Sequence, residues 1–447
     1  MNIVNIYENY NSYFSQEFKE IFELCSKVAE KNDYKIFLIG GLVRDMLLNR
    51  KSLDIDITVE GDAIEFGHVL ERECGAKILS VHESFGTIKV ELSGQKIDFA
   101  STRSESYPKA GHLPSVAQIG CLLEKDVLRR DFTVNSLAMS LNQGTFADLI
   151  DYVGGFEDLK NKKIRILHDK SFIDDPTRII RALKYSTRLG FELDELTLKL
   201  QEVYLQNINY DMCYKRVKQE IKKTFEDCKQ DTFDRFIEHG IYKLITRNNQ
   251  ISRHAELVPS SCCRVEMRLT RESIACDVSA SCEGAESDRS RNEFGMTLKG
   301  DIENLIKKYK PKHCWLIYLG VIMIDENVEK LELTKAEKEV IEGVKSLIKE
   351  DFQDDFDLYK AFCAQKTETL LILAALGREK EVFHYLNDLQ KIKLQITGKD
   401  LLALGYAPSK FFSEGFDYVL SQKLKTPDLK KSEEIKLIKD YLNSING

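Results

Sequence analysis

The hydrophobic pattern changes character near Asp174, and this change constrains the fold more than any other feature. Before it, short apolar runs alternate with helical stretches, whereas after it apolar residues recur at helical spacing for nearly the whole remaining length. Side chains alternate faces along a strand, but in a helix they return to the same face after about 3.6 residues. The sequence therefore predicts an α+β protein, with a mixed sheet and helices first and an all-α region after them.

Four apolar runs predict the strands of the sheet: KIFLIG (35–40), LDIDITV (53–59), GTIKVEL (86–92) and QKIDFA (95–100). The first leads directly into a helix at Gly41, and the second precedes a helix from Asp62 to about Cys74. The last two are separated only by Ser93 and Gly94, which predicts a hairpin turn.

Length and composition limit the class of protein. A chain of 447 residues is too long for one hydrophobic core, so several domains are expected. The net charge of −7 gives no overall basic field, so a nucleic-acid contact needs a local basic groove. The apolar stretch from Cys314 to Ile324 has eleven residues, which predicts a buried helix rather than a membrane span.

Cysteine usage indicates a reducing compartment. The eleven cysteines include no CxxC pair, and the amino-terminal MNIVNIYENYNSYF has neither the basic nor the apolar region of a signal peptide. We therefore expect reduced thiols in a cytoplasmic protein without a membrane partner.

The segment 251–296 differs in composition from its surroundings. It holds four of the eleven cysteines and six arginines but no lysine, although lysine is frequent on both sides. It is rich in serine and shows no sustained period, which predicts a disordered insertion between helices. A metal-binding or redox insert is the alternative, although the spacing of Cys262, Cys263, Cys276 and Cys282 suits no zinc knuckle.

Asp54 and Asp56 flank Ile55 within an apolar strand, so both carboxylates are expected on the same face of the sheet. Adjacent carboxylates repel each other unless a cation lies between them, and oxygen ligands of this kind suit Mg²⁺. The pair predicts a metal site with Asp54 and Asp56 as ligands. A DxD pair alone also marks solvated strand edges.

The turn GGLVRD (40–45) places two glycines between a strand and a helix. Gly40 and Gly41 let backbone N–H groups approach an anion at the positive end of the helix dipole. Arg44 lies one turn further on and would reach a triphosphate. A plain turn with Arg44 and Asp45 exposed is the alternative.

Asp98 and the string RRDFTVN (129–135) are further candidates. On a strand expected to pair near the Asp54 strand, Asp98 would deprotonate an attacking hydroxyl or complete a two-metal site, unless it is an ordinary edge residue. Arg129 and Arg130 would clamp phosphates or a ribose. Asp131 and Asn135 would fix the loop or the sugar, and a salt-bridged helix start is the alternative for the whole string.

The string DDPTRIIRALK (174–184) begins the most informative helix. Pro176 suits a first helical turn, and the aspartate before it can cap the helix. Asp175, Arg178 and Arg181 are spaced to project from one face, where acceptor and donor groups would hydrogen-bond a base edge. An ordinary i,i+3 salt bridge explains the same spacing.

Taken in order, these strings resemble the class II tRNA nucleotidyltransferases, the family of bacterial and eukaryotic CCA-adding enzymes and poly(A) polymerases. The matching motifs are GGLVRD, LDID ten residues later, RRDFTVNSLAM, DDPTRIIRALKYSTRLGF and, in the tail, GKDLLALGYAPSKFF. The resemblance runs from about residue 35 to 225, and several motifs in the same order and spacing make it specific.

The resemblance implies how the chain is divided. An N-terminal helix (1–34) would precede a polymerase-β-like head (35–168) and a neck that selects the base (169–230). A helical body with the insertion (231–385) and a tRNA-binding helical tail (386–447) would follow. Lysine-rich runs at Lys307–Lys312 and Lys423–Lys431 would either contact the tRNA backbone or form solvated helix faces.

The resemblance also implies the reaction and its residues. The 3′-oxygen of tRNA would attack the α-phosphate of CTP or ATP in line, with Mg²⁺ on Asp54 and Asp56 and pyrophosphate leaving. A flexible loop would run from Glu105 to Leu123, and Arg216 and Glu220 would brace the neck helices. The candidate nucleotide-binding residues are Gly40, Gly41, Arg44, Arg129, Arg130, Asp131, Asn135, Asp175, Arg178, Arg181 and Lys184, of which Asp175, Arg178 and Arg181 would select the base.

Departures from the family pattern bear on specificity. Asp174 stands where glutamate is usual, and Lys184 stands where arginine is common and loses its bidentate geometry. LDIDITVEGDAIEF and the SYPKAGHLP loop are closer to the branch that includes A-adding enzymes. Addition of CCA is the main prediction. The alternatives are addition of A or CC alone, a poly(A) polymerase, and an RNA-binding protein with an inactive head.

Overall fold

The structure, a computed structural model, describes residues 4–51, 55–226, 229–246, 303–322, 331–407 and 411–446. Its contacts divide the chain into two compact units, Met1–Thr224 with Arg235–Leu244 and Phe225–Asp234 with Ile245–Gly447. The insertion predicted at 251–296 and the candidate metal ligand Asp54 lie outside the described residues.

The first unit contains a mixed eight-stranded sheet with the spatial order β1-β10-β9-β2-β3-β6-β5-β4. Its strands are β1 Val4–Asn5, β2 Lys35–Ile39, β3 Asp56–Glu60, β4 Lys77–His82, β5 Thr87–Leu92, β6 Gln95–Ser101, β9 Ala138–Ser140 and β10 Asp148–Ile150. Strands β3 and β6 run parallel, and the other neighbours pair antiparallel. Two smaller pairs are the hairpin of β7 Arg103–Ser106 and β8 Ser115–Ile119 and the parallel pair of β11 Lys163–Ile164 and β12 Glu192–Leu193.

The strands follow the hydrophobic pattern that predicts them. In β2 every residue after Lys35 is buried, and in β5 buried residues alternate with half-buried ones. The predicted hairpin between β5 and β6 is present, with Ser93 at φ 51° and Gly94 at φ 78° in the turn. The predicted mixed sheet is therefore confirmed.

Ten helices of the first unit lie around and after this sheet in the described residues. They are α1 Tyr7–Tyr13, α2 Gln16–Lys31, α3 Gly41–Leu47, α4 Ala63–Cys74, α5 Leu123–Leu128, α6 Gly155–Lys160, α7 Ser171–Asp174, α8 Thr177–Leu189, α9 Glu195–Gln206 and α10 Tyr214–Thr224. The predicted helix after Asp62 is α4, since the Asp62 carboxylate accepts the N–H groups of Ile64 and Glu65 and caps it. Gly75 ends α4 with a φ of 68°.

The segment 1–34 differs from its prediction as one helix. It contains a strand and two helices, because Phe14 and Ser15 have extended backbones between α1 and α2. Phe14 is buried, and its ring packs edge-on against Phe22 at 5.0 Å between centroids. Strand β1 pairs with β10, so this segment completes the edge of the sheet.

The second unit consists of helices and connecting segments in its described residues. Helix α11 Gln230–Glu238 has residues in both units. The helices that follow it are α12 (303–309), α13 Cys314–Ile322, α14 Lys335–Leu347, α15 Asp355–Cys363, α16 Thr367–Leu373, α17 Glu379–Asn387, α18 Gly398–Ala403, α19 Phe411–Lys425 and α20 Lys431–Asn446. Helix α13 is buried from Trp315 to Gly320, which confirms the predicted buried helix. At Gly320 an added Cβ would lie 2.5 Å from Cδ1 of Ile372, so a larger residue there would displace the end of the Ile372 side chain between α13 and α16.

The position of Lys423 differs from both predictions for the run Lys423–Lys431. These placed its lysines either on a solvated helix face or in contact with the tRNA backbone. Its side chain is only 5% exposed and forms an ion pair with the fully buried carboxylate of Glu434. The same carboxylate accepts the backbone N–H groups of Gln395 at 2.8 Å and Ile396 at 2.9 Å. Lys423 therefore belongs to the interior, because Glu434 needs a cation there.

In the part of the chain that the structure describes, no helix combines the length and the apolar character that crossing a membrane requires.

Candidate active site

The carboxylates of Asp56 and Asp98 lie side by side on the sheet. Asp56 begins β3 and is opposite Asp98 on the parallel strand β6, so the two side chains share a face. Asp56 is exposed, and Asp98 is 47% exposed and forms an ion pair with Lys89 at 2.9 Å. The predicted pairing of these two strands is confirmed, whereas the metal-binding role of Asp54 and Asp56 stays a prediction.

The glycine turn lies at the same edge of the sheet. Leu38 pairs with Ile57, so the end of β2 that leads into Gly40 lies beside the start of β3 at Asp56. Gly40 has a φ of 74°, and a Cβ there would lie 3.2 Å from Nη1 of Arg130. The sequence requires glycine here for its backbone conformation and for the close approach of a guanidinium group.

Arg44, at the first turn of α3, is 2% exposed. Its Nε donates to Asp45 at 2.8 Å, its Nη1 donates to Asn135, and its guanidinium lies 5.1 Å from the ring centre of Tyr185. Asp45 is buried as well. The structure therefore contradicts a turn with both residues exposed, and it shows Arg44 engaged with protein groups rather than facing solvent.

Arg129 and Arg130 meet at one buried carboxylate, that of Asp126, whose side chain is fully buried. Arg129 donates to Oδ1 at 3.0 Å and 2.8 Å, and Arg130 donates to Oδ2 at 3.2 Å and 2.9 Å. Burial raises the pKa of Asp126, but the two guanidinium groups and the hydrogen bonds outweigh it and lower the pKa below its ordinary value. Asp126 is thus ionised and shared between the two arginines.

Sequence reasoning missed Asp126. The available signal is its spacing, three and four residues before Arg129 and Arg130, which on a helical turn brings a carboxylate to both arginines. The alternative of a salt-bridged helix start is right about the ion pairs but wrong about the helix, because Arg129 and Arg130 follow the end of α5 at Leu128 and their acid lies before them.

Asp131 and Asn135 connect this region to α8. Asp131 accepts two hydrogen bonds from Arg181, at 2.8 Å from Nε and 2.5 Å from Nη2, and one from Asn135 Nδ2 at 3.1 Å. Burial raises the pKa of Asp131, but the Arg181 guanidinium and these hydrogen bonds lower it overall. Since Asn135 also accepts from Arg44, the glycine-turn, RRD and α8 motifs belong to one hydrogen-bonded network.

Asp175 and Arg178 do not form the i,i+3 ion pair that their spacing allows. Asp175 accepts from Nη2 of Arg216 at 2.5 Å and from the hydroxyl of Thr177 at 2.6 Å. Arg178 donates to Tyr107 at 3.1 Å and to the Ser171 hydroxyl at 2.7 Å. Both side chains are buried, so tertiary partners hold each of them in a set direction.

Helix α10 lies against α8 through the residues predicted to brace it. Arg216 binds Asp175, and Glu220 lies 3.5 Å from Nη1 of Arg181. The Nζ of Lys184 lies 5.7 Å from the ring centre of Tyr185. Burial lowers the pKa of Lys184, Glu220 raises it, and neighbouring cations lower it. The lowering effects are larger, so the pKa lies below its ordinary value.

The chain is similar to known proteins. The chain matches the poly(A) polymerase head domain over residues 36–165. An A-adding tRNA nucleotidyltransferase of Aquifex aeolicus is 45% identical over 166 residues, which are 37% of this chain and 20% of that protein. One of Halalkalibacterium halodurans is 25% identical over 455 positions, covering 98% of this chain and 96% of the relative. The chain thus spans about a fifth of the first relative and nearly all of the second.

Solved structures give the same fold. A CCA-adding enzyme in apo form II has a TM-score of 0.76 at 25% identity, covering 99% of this chain and 100% of that chain. A Thermotoga maritima CCA-adding enzyme complexed with tRNA has a TM-score of 0.70 at 25% identity, covering all of both chains.

The first unit therefore contains a region, residues 36–165, that matches the poly(A) polymerase head domain. The predicted architecture, a mixed-sheet head followed by a helical region, is confirmed. The resemblance of the chain to the class II tRNA nucleotidyltransferases is confirmed as well.

Proposed function

We propose that this chain adds CCA to the 3′ end of tRNA without a template, using CTP and ATP and releasing pyrophosphate. The observation that carries the proposal is the shared sheet edge, where Asp56 and Asp98 lie beside the Gly40 turn and its neighbour Arg130. Exposed carboxylates beside a positively charged turn suit the two halves of a nucleotidyl transfer, a hydroxyl to activate and a triphosphate to hold.

The metal belongs to this proposal. Asp54 and Asp56 would hold Mg²⁺, because carboxylate oxygens are the ligands that a hard cation prefers, and Asp56 is exposed. When bound, Mg²⁺ neutralises negative charge on the triphosphate. Asp98 would accept the proton of the 3′-hydroxyl, and Arg130 would hold the phosphates against the Gly40 turn.

Asp175, Arg178 and Arg181 are proposed to select the base. The residues that bind these three side chains contribute by orienting them. Arg216, Tyr107 and Asp131 already orient these three side chains, so the network determines which donors and acceptors face a nucleotide. A set of fixed donors and acceptors favours bases that match it and leaves polar groups unpaired against those that do not. The division into head, neck, body and tail, the tRNA contact of the tail and the cytoplasmic location are parts of the same proposal.

A second candidate is addition of the terminal A alone. It is favoured by the A-adding names of the Aquifex aeolicus and Halalkalibacterium halodurans relatives, the second of which extends over nearly the whole chain. The same site chemistry serves both reactions, so only the accepted nucleotides separate them.

Incorporation of labelled CTP and ATP tests the proposal. Three tRNA substrates are used, ending before CCA, after C and after CC, each with Mg²⁺ and with CTP, ATP or both. Ordered completion of CCA supports the main proposal, and A added only to the CC-ended tRNA supports the second candidate. An Asp56→Asn variant serves as the inactive control.

Other outcomes would overturn both candidates. Long A tracts on unrelated RNAs would indicate a poly(A) polymerase. A folded chain that binds tRNA and incorporates no nucleotide would indicate an RNA-binding protein with an inactive head.

A further inference from the structure

Asp126 holds two arginines of the candidate site from one fully buried position. It accepts four hydrogen bonds from Arg129 and Arg130, and the backbone N–H of Arg103 donates a fifth to Oδ1 at 3.0 Å. A carboxylate bonded this completely has no capacity left for a ligand. Any role in nucleotide binding therefore acts through the arginines.

The charges around Asp126 leave a positive excess. Glu105 also accepts from Arg103 at 2.8 Å and lies 3.3 Å from Arg129, so these two carboxylates face three guanidinium groups. Among these five side chains one positive charge is uncompensated. An anion is the ligand that this arrangement attracts.

The direction of Arg130 follows from how Asp126 binds it. A guanidinium group has two edges that each present a pair of N–H donors. Asp126 takes the edge of Nε and Nη2, which leaves Nη1 on the opposite side, beside Gly40. The Arg130 side chain is 20% exposed, and its hydrogen bonds to Asp126 use only Nε and Nη2.

The same peptide segment also reaches the base-selecting helix. Nη2 of Arg178 donates to the backbone carbonyl of Arg129 at 3.0 Å. A shift of Arg129 would therefore move a hydrogen-bond partner of Arg178. Asp126 lies where the phosphate side and the base side of the candidate site meet.

We propose that Asp126 is a positioning residue for the triphosphate, which aims the free edge of Arg130 at the phosphates beside the Gly40 turn. The proposal rests on the nucleotidyl transfer proposed above and names a residue that acts through another rather than on substrate. Its role differs from a purely structural one in that phosphate affinity depends on it as well as stability.

The test is a double-mutant cycle on the full chain with Asp126→Asn and Arg130→Ala. Binding of ATP, CTP and inorganic tripolyphosphate is measured by calorimetry, and KM and kcat are measured by incorporation. We expect Asp126→Asn to weaken all three ligands to a similar extent, on the order of 10²-fold for a misdirected contact, with a larger effect on KM than on kcat. The double variant should bind about as weakly as Arg130→Ala alone, since both changes remove the same contact.

Asp158→Asn is the matched control. Asp158 is another buried aspartate of the first unit with an arginine partner, Arg165 at 2.9 Å, and it is not among the candidate nucleotide residues. Its variant should lose stability without losing tripolyphosphate affinity. Equal effects of the two aspartate variants on affinity, or additive effects within the cycle, would overturn the proposal.

If Asp126→Asn does not fold, Arg130→Lys replaces it in the test. Lysine keeps the charge but lacks the paired donors that Asp126 orients. Wild-type affinity for tripolyphosphate in this variant would overturn the positioning role. An inactive wild-type chain that still binds nucleotide would instead contradict the proposed function and leave the affinity test of Asp126 intact.

Discussion

Arg181 donates two hydrogen bonds to Asp131, and this pair joins α8 to the RRD motif fifty residues earlier in the chain. Asn135 bonds to the same carboxylate and to Arg44. These hydrogen bonds connect the glycine turn, the RRD motif and α8. The candidate site depends on this network for the direction of its side chains as much as for stability.

Arg181→Met should destabilise α8 by about 3 kcal/mol, because it leaves the Asp131 charge buried without its main partner. The pKa of Asp131 should rise in this variant, since the guanidinium is the largest influence that lowers it. Hydrogen exchange of the α8 amides measures the loss of stability. Arg188→Met on the same helix is the control, because Arg188 is 44% exposed and its contact with Asp45 is 3.5 Å long. It should cost less than about 1 kcal/mol, and equal losses in the two variants would contradict the prediction.

Gly40→Ala should raise the KM for nucleotides, whereas Gly94→Ala should not. Both glycines have positive φ, at 74° and 78°, so an alanine strains the backbone at both positions. Only at Gly40 would the new Cβ meet Arg130, at 3.2 Å, since no atom lies within 4 Å of it at Gly94. Thermal unfolding of the two variants measures the backbone strain, and steady-state kinetics measures the effect of displacing Arg130 on KM. A similar KM in both would show that Arg130 does not contact the nucleotide.

Asp98→Asn should lower kcat by about 10²–10⁴-fold, the range expected for loss of a general base, while tRNA binding is retained. Lys89→Met is the control, because it removes the ion pair at 2.9 Å and keeps the carboxylate. Single-turnover incorporation with saturating CTP and ATP measures the rate. If Asp98→Asn retains the wild-type rate, Asp98 is an ordinary residue of the sheet.

His384 should make the second unit less stable as pH rises above neutrality. Its ring nitrogens contact Asp388 at 3.1 Å and Asp355 at 3.0 Å. Burial lowers the pKa of His384, but these two carboxylates outweigh burial and raise it above its ordinary value. A raised folded-state pKa stabilises the protein fully below the unfolded value of about 6.5, and the contribution is lost as pH rises through the folded value.

The measurement for His384 is thermal unfolding between acidic and alkaline buffers, with an NMR titration of the ring. Asp355→Asn should reduce the pKa shift, and His384→Gln should remove this part of the pH dependence. A titration of His384 below its ordinary value would show that burial dominates after all.

Lys423→Met should destabilise the packing of α19 and α20 by about 3 kcal/mol, because Glu434 would keep its charge without a cation. Lys431→Met is the control, since Lys431 is 46% exposed in its pair with Asp400 and lies on the surface. Hydrogen exchange of the α20 amides compares the two. A larger loss in Lys431→Met would contradict the burial of Lys423.

Much of the first unit can be predicted from local patterns. The alternation of β5, the continuous burial of β2 and the Asp62 cap of α4 each depend on neighbours within a few residues. The division of 1–34 into a strand and two helices could not be predicted in this way. Strand β1 has two residues and exists only because β10 supplies its partner, far along the chain.

Motif order and spacing determined the candidate residues and the family resemblance. The glycine turn, the paired aspartates and the paired arginines can be recognised in the sequence without knowledge of the fold. Tertiary structure alone decided what those residues touch. Arg44 is buried rather than exposed, Arg129 and Arg130 share Asp126, and Asp175 pairs with Arg216 rather than Arg178. A buried charge is stable only beside a matching partner, and that partner is set by the packing of segments whose distance in the sequence carries no information about their distance in space.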